Sequence, residues 1–467
     1  MEGVKIMSLI RAYALPHPPL AVPSVGRGQE KEVENTIRAF NEVSVEIAEE
    51  RPETIVFITP HNVLYADYFH ISPGIAARGD FARFNAPETK LETKYDLEMV
   101  EAIVDAANRE GISTGTSGEK DASLDHGTTV PMWFINERYK EYASVRISQS
   151  GMNPSEHYKL GMIIKEAAEK LGRKTVLIAS SDLSHKLKSD GPYGYVPEGP
   201  EFDAEVVKCL KDGDFLALMQ IPESLLSRAA ECGYNSLMVM AGCFDRRNVE
   251  ARVLSYEGPY GVGYAIAAVS ARERDESRNI LDKHMKIVLE DAVARREDED
   301  DYRALARKSL EYTLAEGADL PLPKGLPEDM VINKAGVFVS LYKNDRLRGC
   351  IGTIAPFTQC VALEIIRNAV SAGLNDTRFD PVSPSELPYL TYKVDVLSEP
   401  ESISGPEELD VKKYGVIVTC GSKRGLLLPN LEGVDTVKEQ IDIARRKAGI
   451  SEGIKMELER FEVTRHE

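Results

Sequence analysis

Cysteine is scarce: Cys209, Cys232, Cys243, Cys350, Cys360 and Cys420 are the only six in 467 residues, and no two are spaced as Cys-x-x-Cys. That excludes a disulfide framework, a zinc ribbon and a thioredoxin-type motif. Long apolar runs are missing too. Nothing approaches the roughly 20 residues of a membrane helix. The opening MEGVKIMSLIRAYALPHPPL has an early acid and no apolar core of signal-peptide length. Phosphate loops are absent, since there is no GxxxxGK[ST] and the glycines of GPYGVGY (258–264) precede a strand-like AIAAV. Positive charge is in deficit, with 57 Lys and Arg against 75 Asp and Glu and a formal balance of −18. Such a chain repels phosphate backbones and acidic lipid surfaces, so no nucleic-acid or membrane partner is expected. The expected setting is reduced and cytoplasmic.

Apolar residues make up 43% of the chain and charged residues 28%, the balance of a globular protein with ample material for buried cores. VENTIRAFNEVSVEIAEE carries a helical stripe and is followed by the β-branched run TIVFIT (54–59). The pairing recurs as EHYKLGMIIKEAAEKLG (156–172) followed by KTVLIAS (174–180). Strands separated by helical patterns predict an α/β fold around a central sheet, with ligands just past the strand ends. Near residue 271 the sequence becomes highly charged and helical, with an acidic knot from Glu297 to Asp301. Beyond it, VFVSLY, YLTYKVDVLS, GVIVTC and GLLLP read as strands, with helices at about 359–373 and 434–448. The expected organisation is an α/β domain over 1–272, a charged helical linker over 273–300 and a smaller α+β domain with a largely antiparallel sheet over 301–467.

Histidines carry the chemistry. Four of the eight stand in loops beside prolines, glycines and acids: His17 in ALPHPPL, His61 in TPH, His126 in LDHG and His185 in SSDLSH, where Asp182 precedes it by three residues. Two imidazoles with a carboxylate or thiolate form the ligand set of a non-haem iron, zinc or copper site with open positions. Further imidazoles there can move protons. Glu231 and Cys232, at the end of a helical stretch before Gly233, are both candidates for the third donor. His70, His157, His284 and His466 read as surface residues.

Taken together, LPHPPL, the strand before TPH, LDHG with its following VP, SSDLSH and YEGPYGVGYA resemble the class III extradiol ring-cleavage dioxygenases (catalytic B-subunit type) and the related Memo family over about 8–270. The resemblance implies an Fe(II)-binding oxidoreductase acting on a catecholic substrate and O2. His17 and His61 match the metal ligands, and His126 and His185 match the proton-transfer residues. Asp182 belongs to a motif shared with Memo. The dioxygenase glutamate has three competitors, Glu231, Cys232 and Asn235, whereas the Memo pattern matches Cys232-Gly233. A thiolate there makes copper or zinc the alternative ion, and a Memo-like redox or interaction protein without ring cleavage the alternative function.

In the second domain LYKNDRLRGCIGT, NDTRFDPVSPSEL and YKVDVLSEP resemble the AMMECR family. Arg348, Cys350, Asp376 and Arg378 are the candidate polar cleft there, with a bulge or turn expected around Gly349 and Gly352. The fusion looks like an AmmeMemoRadiSam-type system, which implies a separate radical S-adenosylmethionine protein as partner.

Overall fold

Short β-branched runs become buried strands in the computed structural model, which describes residues 8–343, 346–431 and 433–467. The first of two units, Met1–Lys286, is built on a six-stranded sheet. Its strands are β1 (Leu9–Leu15), β2 (Thr54–Thr59), β3 (Ala143–Ser148), β4 (Thr175–Ser180), β5 (Arg247–Glu257) and β6 (Tyr264–Arg274), in the order β3-β2-β4-β1-β6-β5. The four strands from β3 to β1 run parallel, while β6 lies antiparallel to β1 and β5 antiparallel to β6.

Helices cover both faces: α1 (Glu34–Glu50), α2 (Leu97–Arg109), α3 (His126–Asn136), α4 (Pro154–Leu171) and α5 (Tyr234–Gly242). Alternate residues of each strand feed opposite layers. Val56, Ile58, Val145, Ile147, Leu177 and Ala179 pack with α2, α4 and α5, while Ile55, Phe57, Val176 and Ile178 pack with α1 and α3. All six residues of β2 are therefore buried, which is why TIVFIT shows no polar alternation. Each large apolar side chain so buried stabilises the fold by about 1.5–3 kcal/mol.

A helix α6 (Ile280–Glu297) spans the division between the units, and α7 (Asp301–Glu316) follows in the second, Ile287–Glu467. Part of the acidic knot is a helix cap, since Asp300 accepts the Arg303 N–H at 2.9 Å. The second unit then runs β7 (Val337–Lys343), β8 (Arg346–Gly352), α8 (Val361–Leu374), β9 (Leu390–Leu397), β10 (Glu401–Ile403), β11 (Gly415–Cys420), β12 (Lys423–Leu427), α9 (Val437–Lys447), β13 (Glu457–Phe461) and β14 (Val463–His466). These strands make two four-stranded antiparallel sheets, ordered β8-β7-β9-β14 and β10-β13-β11-β12. In the β7–β8 pair Leu341 faces Gly349 and Tyr342 faces Leu347, so Arg348 is an extra residue and the irregularity lies on β8 beside Gly349, where a bulge is expected.

The histidines expected at the surface are not uniformly there. His70 and His157 are buried, at 1% and 0% exposure. His157 fits the core because both ring nitrogens are satisfied, by the Asn153 carbonyl at 3.1 Å and the Ser150 N–H at 3.2 Å. His466 stacks on Tyr302 with centroids 3.8 Å apart and bonds Asp300 at 2.5 Å. His284 is partly buried.

Candidate metal centre

The C-terminal ends of three neighbouring parallel strands place the site. His17 stands two residues past β1, His61 two past β2, and Asp182 two past β4, which lies between them in the sheet. Pro16 and Pro18 flank His17 and Pro60 precedes His61, fixing backbone φ where each chain leaves the sheet. The Nε2 atoms of His17 and His61 are 2.9 Å apart. His17 is anchored twice by the loop after β4, its N–H donating to Asp182 Oδ1 at 2.7 Å and its Nδ1 meeting Ser180 Oγ at 2.9 Å.

Ser180 also determines the tautomer of His17. Its hydroxyl donates its single proton to the Gly127 carbonyl at 2.6 Å, so toward His17 it can only accept. Nδ1 of His17 therefore carries the ring proton and Nε2 presents a lone pair toward His61. Burial, reinforced by the neighbouring imidazoles, holds His17 well below the usual histidine range. Burial likewise lowers His61 to about 4. Both rings are neutral at pH 7, the form that binds metals.

Glu231 and Cys232 lie in the loop between the helix Glu223–Ala229 and α5, so neither is on a helix. Cys232 Sγ lies 3.5 Å from His17 Nε2 and 3.9 Å from His61 Nε2. The Glu231 carboxylate turns instead to the Tyr234 N–H at 2.6 Å, at the start of α5. Gly233 is what lets the loop approach. A Cβ there would lie 2.5 Å from the Ser181 Cβ and 2.7 Å from the Asp182 carbonyl oxygen. Asn235 is in the first turn of α5, its Oδ1 buried without a partner among the described residues. Burial, with Asp182 and Glu231 nearby, holds the Cys232 thiol well above its usual range. Burial also pushes Asp182 up to about 7 against the pull of the His17 N–H.

His17, His61 and Cys232 are a group among the described residues that could hold a metal ion, with donor atoms within 4.8 Å of one another. Two imidazole nitrogens and one sulfur at these separations fit a single first-row ion, since such bonds are roughly 2.0–2.3 Å long. The donor set is softer than the two-histidine, one-carboxylate set of Fe(II) oxygenases.

His126 and His185 flank the pair. The His126 ring is 4.1 Å from that of His61 and 5.4 Å from that of His17. Burial lowers both, His185 with a further push from His61. His185 Nε2 is buried with no hydrogen-bond partner among the described residues.

Several supporting residues lie outside the sequence-based candidates. Asp125 caps α3 through the Thr128 N–H at 3.2 Å and accepts the Thr59 hydroxyl at 2.6 Å, while Thr59 Oγ1 accepts the His61 N–H at 3.2 Å. Fully buried Arg146 faces Asp125 at 3.4 Å and donates to Ser72 Oγ at 2.6 Å. Gln149, just past β3, donates to the Cys232 carbonyl at 2.9 Å. An aspartate directly before a helix and a lone arginine inside the apolar run ASVRIS were the available signals.

In the second unit, Cys350, Asp376 and Arg378 meet at the edge strand β8. Asp376 accepts the Cys350 N–H at 2.9 Å, and Arg378 donates to the Cys350 carbonyl at 3.0 Å and to Asp376 at 2.7 Å. These side chains satisfy the outward backbone groups an edge strand leaves open. Ser340 donates to Cys350 Sγ at 3.2 Å from the opposite strand. Arg348 is engaged elsewhere, bidentate on Glu386 at 3.0 and 3.1 Å and on the Asp380 carbonyl at 2.8 Å. That grip, with Lys343, holds Glu386 at about 2 against the upward push of burial. Gly349 allows α8 to close on the strand, since a Cβ there would lie 2.1 Å from the Ala372 carbonyl oxygen.

A family model described as the catalytic LigB subunit of aromatic ring-opening dioxygenase matches residues 11–267, and an AMMECR1 model matches 303–466. A protein of Clostridium acetobutylicum is 44% identical over 468 residues, covering 98% of this chain and 99% of its own length. One from Thermotoga maritima is 48% identical over 167 residues, covering 35% of this chain and 96% of its own. The crystal structure of an uncharacterised Pyrococcus horikoshii protein covers 35% of this chain and 88% of its own at 31% identity, with a TM-score of 0.33. No helix among the described residues is long and apolar enough to cross a membrane.

Proposed function

Because the chain belongs over residues 11–267 to the family of the catalytic LigB subunit of aromatic ring-opening dioxygenases, we propose that its first unit is a metal-dependent oxidoreductase acting on a small aromatic, catechol-type substrate with O2. The observation that carries this reading is the pair of Nε2 atoms 2.9 Å apart, with one lone pair aimed inward by Ser180. His17 and His61 are the metal-holding pair, with Cys232 as third donor. When bound, the ion supplies Lewis-acid polarisation and, for iron or copper, electron exchange. Fe(II) is the expected ion by family, and the thiol makes copper or zinc the alternative.

The chain's own residues supply the rest. Asp182 acts as a positioning residue, holding the His17 loop through its N–H. His185, neutral and unpartnered at Nε2, can take a proton from a substrate hydroxyl and return it later. His126, against the His61 ring, is the second proton-transfer candidate. Glu231 shapes the Cys232 loop by capping α5.

A second reading is favoured by one observation, that Cys232 and not Glu231 faces the imidazole pair. On it the unit is a Memo-like redox or interaction protein that binds metal without cleaving rings, working with a radical S-adenosylmethionine partner. On this reading the second unit, matched by the AMMECR1 model, acts with the first in that partnership.

Metal analysis of the anaerobically purified full chain, followed by oxygen uptake with catechols, tests these readings. His17→Ala and His61→Ala are expected to empty the site and Cys232→Ser to lower its occupancy, while Glu231→Gln retains the ion. His185→Ala should keep the metal and lose any turnover. A metal-free protein that gains none on reconstitution overturns both readings. Loaded protein without oxygen uptake leaves the second. Loss of metal in Glu231→Gln alone would reassign the third donor.

A further inference from the structure

Past His185 the chain makes a loop over 186–197 that projects aromatic side chains outward. It is tied down at both ends: the Leu187 N–H donates to the Gly261 carbonyl at 3.1 Å, the Val196 N–H to the Lys186 carbonyl at 3.2 Å, and Lys188 Nζ to the Pro259 carbonyl at 3.0 Å. Leu187 and Tyr195 form a β-bridge across it. Between these ties stands Tyr193, 60% exposed, with its ring 5.2 Å from that of His185 and 30° from parallel. An aromatic ring held on a site histidine while most of its surface faces solvent leaves apolar area that a ligand can cover. Tyr195, two residues on and 53% exposed, has no corresponding contact with a site histidine among those described. Phe84, partly buried, meets His126 edge-on, its centroid 5.7 Å away and 66° from parallel. His126 and His185, the two histidines flanking the metal-holding group, thus each have an aromatic neighbour.

We propose that Tyr193 is a substrate-contacting residue, one wall of the pocket against which the ring of the aromatic ligand packs beside His185. This rests on the aromatic-substrate reading above and adds a residue on which selection of a planar ring depends. The loop's anchors hold Tyr193 in place before the ligand arrives, so little ordering is required on binding. The contact uses the ring face, so the phenol hydroxyl is dispensable.

The test is anaerobic titration of the Fe(II)-reconstituted full chain with 4-nitrocatechol, read by its absorbance, alongside metal content. Tyr193→Ala is expected to weaken Kd about tenfold, equivalent to about 1.4 kcal/mol and within the reach of an aromatic contact plus its buried area. Tyr193→Leu should weaken it severalfold, whereas Tyr193→Phe and Tyr195→Ala stay within about twofold of the parent, all with unchanged iron. A Tyr193→Ala variant that binds the probe as the parent does overturns the proposal alone. Failure of the parent itself to bind the probe overturns the aromatic-substrate reading and this proposal with it.

Discussion

Ser180 and His157 illustrate how single side chains govern protonation in this protein. Ser180→Ala removes the acceptor that keeps the ring proton of His17 on Nδ1. Loss of such a supporting hydrogen bond typically weakens metal affinity by about 10–100-fold. That drop is expected in a competition titration with a chromophoric chelator, together with a stability loss of the metal-free protein of about 1–3 kcal/mol from the buried groups left unpaired. His157 acts on stability. Burial lowers it to about 4, against about 6.5 in an unfolded chain. Between those values the unfolded state binds more protons, so stability is present above pH 6.5 and is lost as pH falls toward 4. The loss between pH 7 and pH 5 is on the order of 2 kcal/mol at about 1.4 kcal/mol per pKa unit. Thermal melts of the metal-free protein across that range should therefore be steeper in pH than those of His157→Gln.

At the scale of elements, two close approaches decide how loops and helices seat. The loop carrying Cys232 lies directly on the backbone after β4, and Gly233 is the residue that permits it. Gly233→Ala should cost about 1–3 kcal/mol through overpacking. It should also lower bound metal, because the relief available to the loop is to carry Cys232 away. Metal content and melting temperature measured on one sample separate this from simple destabilisation. In the second unit, Gly349→Ala drives a Cβ into the Ala372 carbonyl of α8, a backbone group with little freedom to yield. A loss of at least about 2 kcal/mol is expected there, seen as earlier unfolding with metal retention in the first unit unchanged. The glycines flanking Cys350 and Cys232 in the motifs are thus packing requirements as much as signatures.

For the whole molecule, a metal held by His17, His61 and Cys232 stabilises only the unit that contains them. At a free-ion concentration 100 times Kd the gain is about 2.7 kcal/mol. Calorimetry of the full chain should show one transition rising with added ion and falling with chelator, and a second that ignores both. The sequence by itself determined the layered α/β character, the strands before TPH and SSDLSH, the antiparallel strands of the second unit, though not their division into two sheets, and the LigB and AMMECR resemblances. These rest on local periodicity and on motifs whose residues are neighbours in the chain. Tertiary structure alone decided three further matters. It separated Cys232 from Glu231, adjacent residues that differ in which one the loop on Ser181 and Asp182 turns inward. It set the tautomer of His17 through Ser180 and the carbonyl of Gly127. It buried His70 against the Glu119 carbonyl and His157 against the Phe69 ring, partners remote in the chain. Periodicity reports which side of an element is apolar. Which donor, acceptor or wall meets that side depends on chain crossings that no local pattern encodes.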